Sequence, residues 1–276
     1  MPLYQVIVLA VIQAFTEFLP ISSSAHLWFA PWLFGWKDPG LTFDVALHAG
    51  TLAAVLIYFF RDWIQIIAHG FGMNFGSDQE LARNRALLWL LAIASVPAGI
   101  AGLLFEKKAD TTWRNPYLIG GMMIVIGLLM WVADRRARGT KSMDKVSWAD
   151  GIWIGVSQAL ALIPGTSRSG ITITTGLFRG LDRATSARFS FLLATPVIAG
   201  AVLKKLYDVH KEGGFAPDMR MPFIVGTLVS GILGALVIAF FLRYLRRNSL
   251  MPFVYYRIVF GIIVIALAAF VRVGAE

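Results

Sequence analysis

The chain has 276 residues, 57% of them hydrophobic and only 15% charged, with a formal net charge of +9 and no cysteine. Charge so far below the ~25% of soluble domains excludes an ordinary soluble enzyme, and the absence of cysteine excludes disulfide frameworks and Cys-ligated zinc. The positive balance is assigned to loop Lys and Arg beside anionic lipid or the cytoplasm, so no nucleic-acid partner is expected.

The first predicted element, residues 3–35, is apolar but too short in each stretch to span singly, and is broken at Pro20 and Pro31. It has no basic leading region, and Gln13 and Glu17 follow directly, so it does not read as a cleaved signal peptide. Three apolar runs of spanning length come next, at about 41–60, 86–105 and 116–133. Residues 150–180 repeat the first pattern and are broken at Pro164-Gly165. Three further runs follow, at about 184–203, 221–242 and 252–271. Broken apolar stretches carrying polar residues predict re-entrant helix–loop–helix hairpins, because irregular backbone survives at membrane depth only inside protein or along a cavity.

Gln13-Ala14 precedes Pro20 and a serine cluster, as Gln158-Ala159 precedes Pro164 and another. Each hairpin leads three spans, an odd number, so the second half is expected to be inverted relative to the first. The fold expected is an all-α polytopic membrane protein. It has six transmembrane helices plus two re-entrant hairpins in inverted repeats, one integral domain with halves at about 1–140 and 141–276. The Lys and Arg distribution between loops favours both termini outside.

Two clusters carry chemistry. The first, QAFTEFLPISSSAHL at 13–27, places an ionisable carboxylate in apolar sequence, where charge is costly and marks a functional site. Gln13 and Glu17 are four apart and share a helix face. After Pro20, Ser22, Ser23 or Ser24 can cap a new helix. Ser23 and His26, three apart, also share a face. The second cluster, PGTSRSG at 164–170, offers Gly165, Thr166, Ser167, Ser169 and Gly170 for close backbone approach and hydroxyl donors, with Thr172 one turn on. Arg168 can grip a phosphate bidentately. Two helix N-termini and an Arg facing one point suit a strongly anionic group such as a diphosphate. The carboxylate then invites a divalent cation, Mg or Ca, at Glu17. Asp44 and His48, four apart at the start of a span, form a further polar pair that suits packing or the interface as well as function. No Walker-type phosphate loop, HExxH zinc motif or G-x-S-x-G elbow is present.

At these residues the chain resembles the undecaprenyl-diphosphate phosphatases, the bacitracin-resistance family. The resemblance runs over essentially the whole length. It is carried by the (E/Q)xxxE motif at Gln13 to Glu17, PxSSxxH at Pro20 to His26, and PGxSRSG at Pro164 to Gly170, with FDVALHAG and ARFSFLLATP in support. It implies a bacterial plasma-membrane enzyme that hydrolyses undecaprenyl diphosphate to the monophosphate and recycles the carrier for cell-wall polymers. Divalent-metal dependence and a site opening to the outer face come with it. So does a catalytic set of Glu17, Ser23, His26 and Arg168. Gln13 stands where the motif also admits Glu. The expected mechanism has Ser23 attacking phosphorus with His26 as base; the rival has Glu17 or His26 activating water, with Ser23 binding phosphate. Partners are the prenyl diphosphate and membrane lipid, and a homodimer is allowed. Transport of the prenyl phosphate is the alternative from another class, since broken helices in inverted halves are also a transporter plan.

Overall fold

The computed structural model describes residues 1–37, 41–137, 139–211 and 217–273. Its regular elements are helices: α1 (Leu3–Phe18), α2 (Ser23–Phe34), α3 (Leu41–Tyr58), α4 (Phe60–Gly70), α5 (Gln79–Arg83), α6 (Leu87–Asp110), α7 (Pro116–Arg136), α8 (Trp148–Ala159), α9 (Arg168–Phe178), α10 (Arg183–Lys211), α11 (Pro217–Leu245) and α12 (Met251–Val273). Five of these, α6, α7, α10, α11 and α12, are long and apolar enough to cross a bilayer. The sixth expected span is α3, which bends by 70° at Phe59 into α4. Beyond the bend, Asp62 and Gln65 share α4 with Trp63, Ile66 and Ile67, so the sequence turns amphipathic there.

Both short helix pairs break for the same local reason. A proline forces the residue before it out of the helical region, and Leu19 and Ile163 are indeed extended ahead of Pro20 and Pro164. The chain re-enters a helix through a serine in the left-handed region, Ser22 at φ 74° and Ser167 at φ 70°. These two are the non-glycine residues of positive φ among the described residues, and both are N-caps. A backbone conformation so disfavoured for serine persists only where its surroundings hold it. Each pair also doubles back. The Tyr4 ring meets Trp36 at 5.8 Å, bringing the start of α1 to the end of α2. Asp150 of α8 accepts from Arg179 just after α9, at 2.9 Å.

Packing around these pairs follows a regular plan. α1 lies on α11 and α8 on α6, while α7 packs on α12 and α3 on α10. Small residues allow the closest approaches. A Cβ at Gly120 would sit 2.7 Å from the Gly261 carbonyl, and one at Gly50 would sit 2.3 Å from that of Thr227. Ion pairs tie the end of the bundle where α10 begins: Arg183 to Asp134 at 2.5 Å, and Arg188 to Asp62 at 2.6 Å and Asp78 at 2.9 Å. Arg179, Arg183 and Arg188 are therefore staples between helices.

Candidate active site

Glu17 occupies the last turn of α1, where the break leaves its carboxylate facing both loops. Only 7% of the residue is exposed. Four side chains address it. Ser23, first residue of α2, donates its hydroxyl to Oε2 at 2.8 Å. Gln13, one turn earlier on α1, donates Nε2 to the same oxygen at 3.2 Å. Arg168, first residue of α9, donates Nη2 to Oε1 at 3.0 Å, while its Nη1 is held by the Ser190 carbonyl at 3.1 Å. His48 of α3 places Nε2 3.7 Å from Oε2. The carboxylate thus joins four elements, and a hydroxyl and a guanidinium from matching first positions of two helices converge on it.

A cavity of about 340 Å³ opens beside this cluster. Ser23, Ser24 and His48 line its polar wall, and Leu27, Trp28, Ile119, Leu162 and Val202 its apolar wall. Asp44, Glu106, Arg114 and Lys205 line it as well. Arg114 pairs with Asp44, and Glu106 with Lys204.

The rest of the expected set falls into two groups. Ser22, Ser24, Gly165, Ser167 and Ser169 knit the loops together. Ser24 Oγ meets Ser22 Oγ at 3.2 Å and accepts the Gly165 N–H at 3.4 Å. Ser169 donates to the Leu19 carbonyl at 3.2 Å. Gly165 is required as glycine, since its φ is 90° and a Cβ would lie 2.4 Å from the Ile119 carbonyl. Other members turn away from the cavity. Thr172 donates to the Arg168 carbonyl at 2.7 Å and meets Ser190 Oγ, also at 2.7 Å. Thr166 is fully buried. The Gly170 N–H is taken by Ser167 Oγ at 3.1 Å, so α9 is already capped, whereas α2 has no side-chain cap. Of the two helix starts, that of α2 is therefore the one left without a side-chain cap.

His26 sits differently from what the three-residue spacing suggested. Its Nδ1 donates to the Ser22 carbonyl at 2.7 Å, and its Nε2 accepts from the Tyr256 hydroxyl at 2.6 Å. The ring stacks on Phe260, with centroids 4.3 Å apart. The imidazole is thus folded back on its own N-cap and engaged by α12, and the group that receives the Ser23 hydroxyl is Glu17.

One central residue escaped the sequence reading. Arg257 of α12 is 0% exposed and donates to carbonyls of both loops: Pro20 at 3.0 Å, Gly165 at 2.9 Å and Thr166 at 3.0 Å. Met123 on α7 accepts from it as well, at 3.2 Å. The signal was available, since a single Arg inside an apolar spanning run is itself an intramembrane charge.

In this helical membrane protein two interrupted helix pairs meet at a carboxylate, a serine and an arginine beside a half-apolar cavity, an arrangement that suits an amphiphilic anion. The family described as bacitracin resistance protein BacA matches residues 6–263, and the chain belongs to that family. Its relatives include the undecaprenyl-diphosphatase of Moorella thermoacetica, 48% identical over 266 residues and covering 96% of this chain and 98% of the relative. The undecaprenyl-diphosphatase of Pelotomaculum thermopropionicum is 47% identical over 98% of both chains. That of Chloroherpeton thalassium is 43% identical over the full length of both.

Proposed function

We propose that this chain hydrolyses undecaprenyl diphosphate to undecaprenyl phosphate and inorganic phosphate, recycling the lipid carrier for cell-wall synthesis. The observation that carries this reading is the Ser23 hydroxyl bonded at 2.8 Å to a carboxylate that Arg168 also contacts. A substrate phosphate at the uncapped start of α2 lies against Ser23. Glu17 takes the Ser23 proton as Oγ attacks the terminal phosphorus and passes it to the departing prenyl phosphate, which restores the carboxylate. Water then cleaves the phosphoserine, with the same carboxylate as base. Arg168 and the α2 amides stabilise charge on the transferring group. The apolar cavity wall takes the first isoprene units.

The setting belongs to the same proposal. The two halves form inverted repeats, and the α1–α2 and α8–α9 pairs are re-entrant; the matched contacts α1 on α11 and α8 on α6 support this. The protein lies in the bacterial inner membrane with the cavity toward the outer face. In support, the opposite end of the bundle holds Arg135, Arg136, Arg243, Arg246 and Arg247. A divalent cation fits the donors present: Gln13 Oε1 is buried and has no hydrogen-bond partner beside the Glu17 carboxylate. No three His, Asp or Glu gather among the described residues, so Glu17 and Gln13 would share the ion with substrate phosphate oxygens. Bound there, it would neutralise phosphate charge.

The test is phosphate release from undecaprenyl diphosphate by purified protein in detergent. Wild type releases phosphate, while Ser23→Ala and Glu17→Gln fall by at least about a hundredfold, the scale of a lost base. With a chiral phosphorothioate substrate, a phosphoserine pathway gives net retention at phosphorus. Inversion would remove Ser23 as nucleophile, and absence of phosphate release from a folded wild type would overturn the function.

A further inference from the structure

We infer that His48 is a ligand of the divalent cation, the imidazole on α3 making good the donor lost where the first motif position is Gln13. The inference rests on the hydrolase reading for the cation's presence, but its geometry is independent. His48 Nδ1 lies 2.7 Å from the Asp44 carbonyl, which can only accept, so Nδ1 carries the proton. In the neutral ring, Nε2 then presents a lone pair toward Glu17 Oε2 at 3.7 Å. Two acceptors facing at that distance repel unless a proton on Nε2 or a cation lies between them. Metal bonds of ~2.1 Å to nitrogen and oxygen set neighbouring ligand atoms roughly 3.0–3.4 Å apart. Closing 3.7 Å to that range takes a few tenths of an ångström.

Two further observations bear on this site. Gln13 Oε1 is an unpartnered acceptor on a residue with 0% exposure, one helical turn from Glu17. The His48 side chain, 33% exposed, lines the cavity beside Ser23, so the ion would stand where a phosphate oxygen can complete its shell. The α3 backbone is held for this: Gly50 lets it seat against Thr227 and Ser230 of α11, and Ser230 donates to the Leu47 carbonyl at 3.0 Å. A nitrogen ligand also shifts the ion preferred. Imidazole suits transition ions better than it suits calcium.

The experiment uses the full-length protein in detergent, with Mn²⁺ as probe. Electron spin-echo envelope modulation of bound Mn²⁺ is expected to show ¹⁴N coupling in wild type. The coupling should vanish in His48→Gln, which keeps an amide oxygen of similar reach, and persist in His26→Gln. Mn²⁺ affinity should fall at least about tenfold in His48→Gln. Thermal melting of each variant establishes that it is folded. Absence of ¹⁴N coupling in wild type, its survival in His48→Gln, or its loss in His26→Gln would each overturn the assignment. A protonated His48 paired with Glu17 would give the first of these outcomes. Phosphate release measured on the same samples separates the two readings: coupling without hydrolysis leaves the ligand standing and removes the hydrolase, and hydrolysis without coupling does the reverse.

Discussion

Arg257→Met probes how the two loops are held. The substitution keeps length and apolar stem but removes every donor to Pro20, Gly165 and Thr166, whose carbonyls now accept at 2.9–3.0 Å. Each buried hydrogen bond is worth about 1 kcal/mol net, so the three loop bonds together come to about 3 kcal/mol. Losing the contact to Met123 adds to this, while removing a buried charge offsets part of it. For a chain of this size, 3 kcal/mol corresponds to a fall in melting temperature of roughly 6–12 °C. The assay is tryptophan-fluorescence melting in detergent, paired with phosphate release well below either transition. Turnover should drop at least about tenfold even there, because Ser23 and Arg168 follow directly on the loops that Arg257 positions, and small displacements of reacting groups are costly. Arg257→Lys should fall between, since an ammonium keeps the charge but lacks the fork. A methionine variant that melts within about 1 °C of the parent and turns over normally would refute the bracing role.

Arg168→Lys should lower turnover at least about tenfold, about 1.4 kcal/mol or more, because one ammonium cannot hold both Ser190 and Glu17 or a phosphate; near-normal kcat in a folded protein would contradict this. Single cysteines, clean in a chain without native ones, should label from one face at Pro2 and Lys37 and from the other at Lys145 and Asp182. Opposite labelling of Pro2 and Lys37 would remove the re-entrant reading. Burial raises the Asp78 pKa, but Arg188 and the Leu81 and Glu80 amides outweigh it and hold the carboxyl below its usual value. Its stabilisation is therefore complete above the ordinary carboxylate pKa of about 4 and lost as pH falls through the folded value. Asp78→Asn should melt lower than the parent at neutral pH, with the gap closing in acid; a gap constant from pH 7 to about pH 3 would argue against the pair.

Glu17, Ser23 and Arg168 were legible because polar residues in apolar sequence have few reasons to be there. The two breaks were legible because Pro20 and Pro164 act locally. What could not be read depended on partners far along the chain. Spacing put Ser23 and His26 on one face, yet Tyr256, 230 positions away, decides where the imidazole points. Thr172 looked like a ligand, but a threonine in a helix has its own carbonyl one turn back within reach, and Ser190 closes the other side. The positive φ of Ser22 and Ser167 is held by tertiary contacts that no local propensity encodes. The bend between α3 and α4 lay in a change of apolar period at residue 60, hidden by treating 41–60 as one uniform run.

The bonds crossing between the loops also limit how the protein can move. A transporter of two inverted halves works by opening a seam first to one side and then to the other. Here the seam is stitched at its centre, by Arg257 to both loops, by Ser169 to the Leu19 carbonyl, and by Arg168 to Glu17. Rocking the halves apart would break the bonds from Arg257 to Pro20, Ser169 to Leu19 and Arg168 to Glu17 together. On the reading proposed above, the substrate comes to a fixed centre, its chain threading in from the bilayer while its headgroup enters and phosphate leaves by one opening.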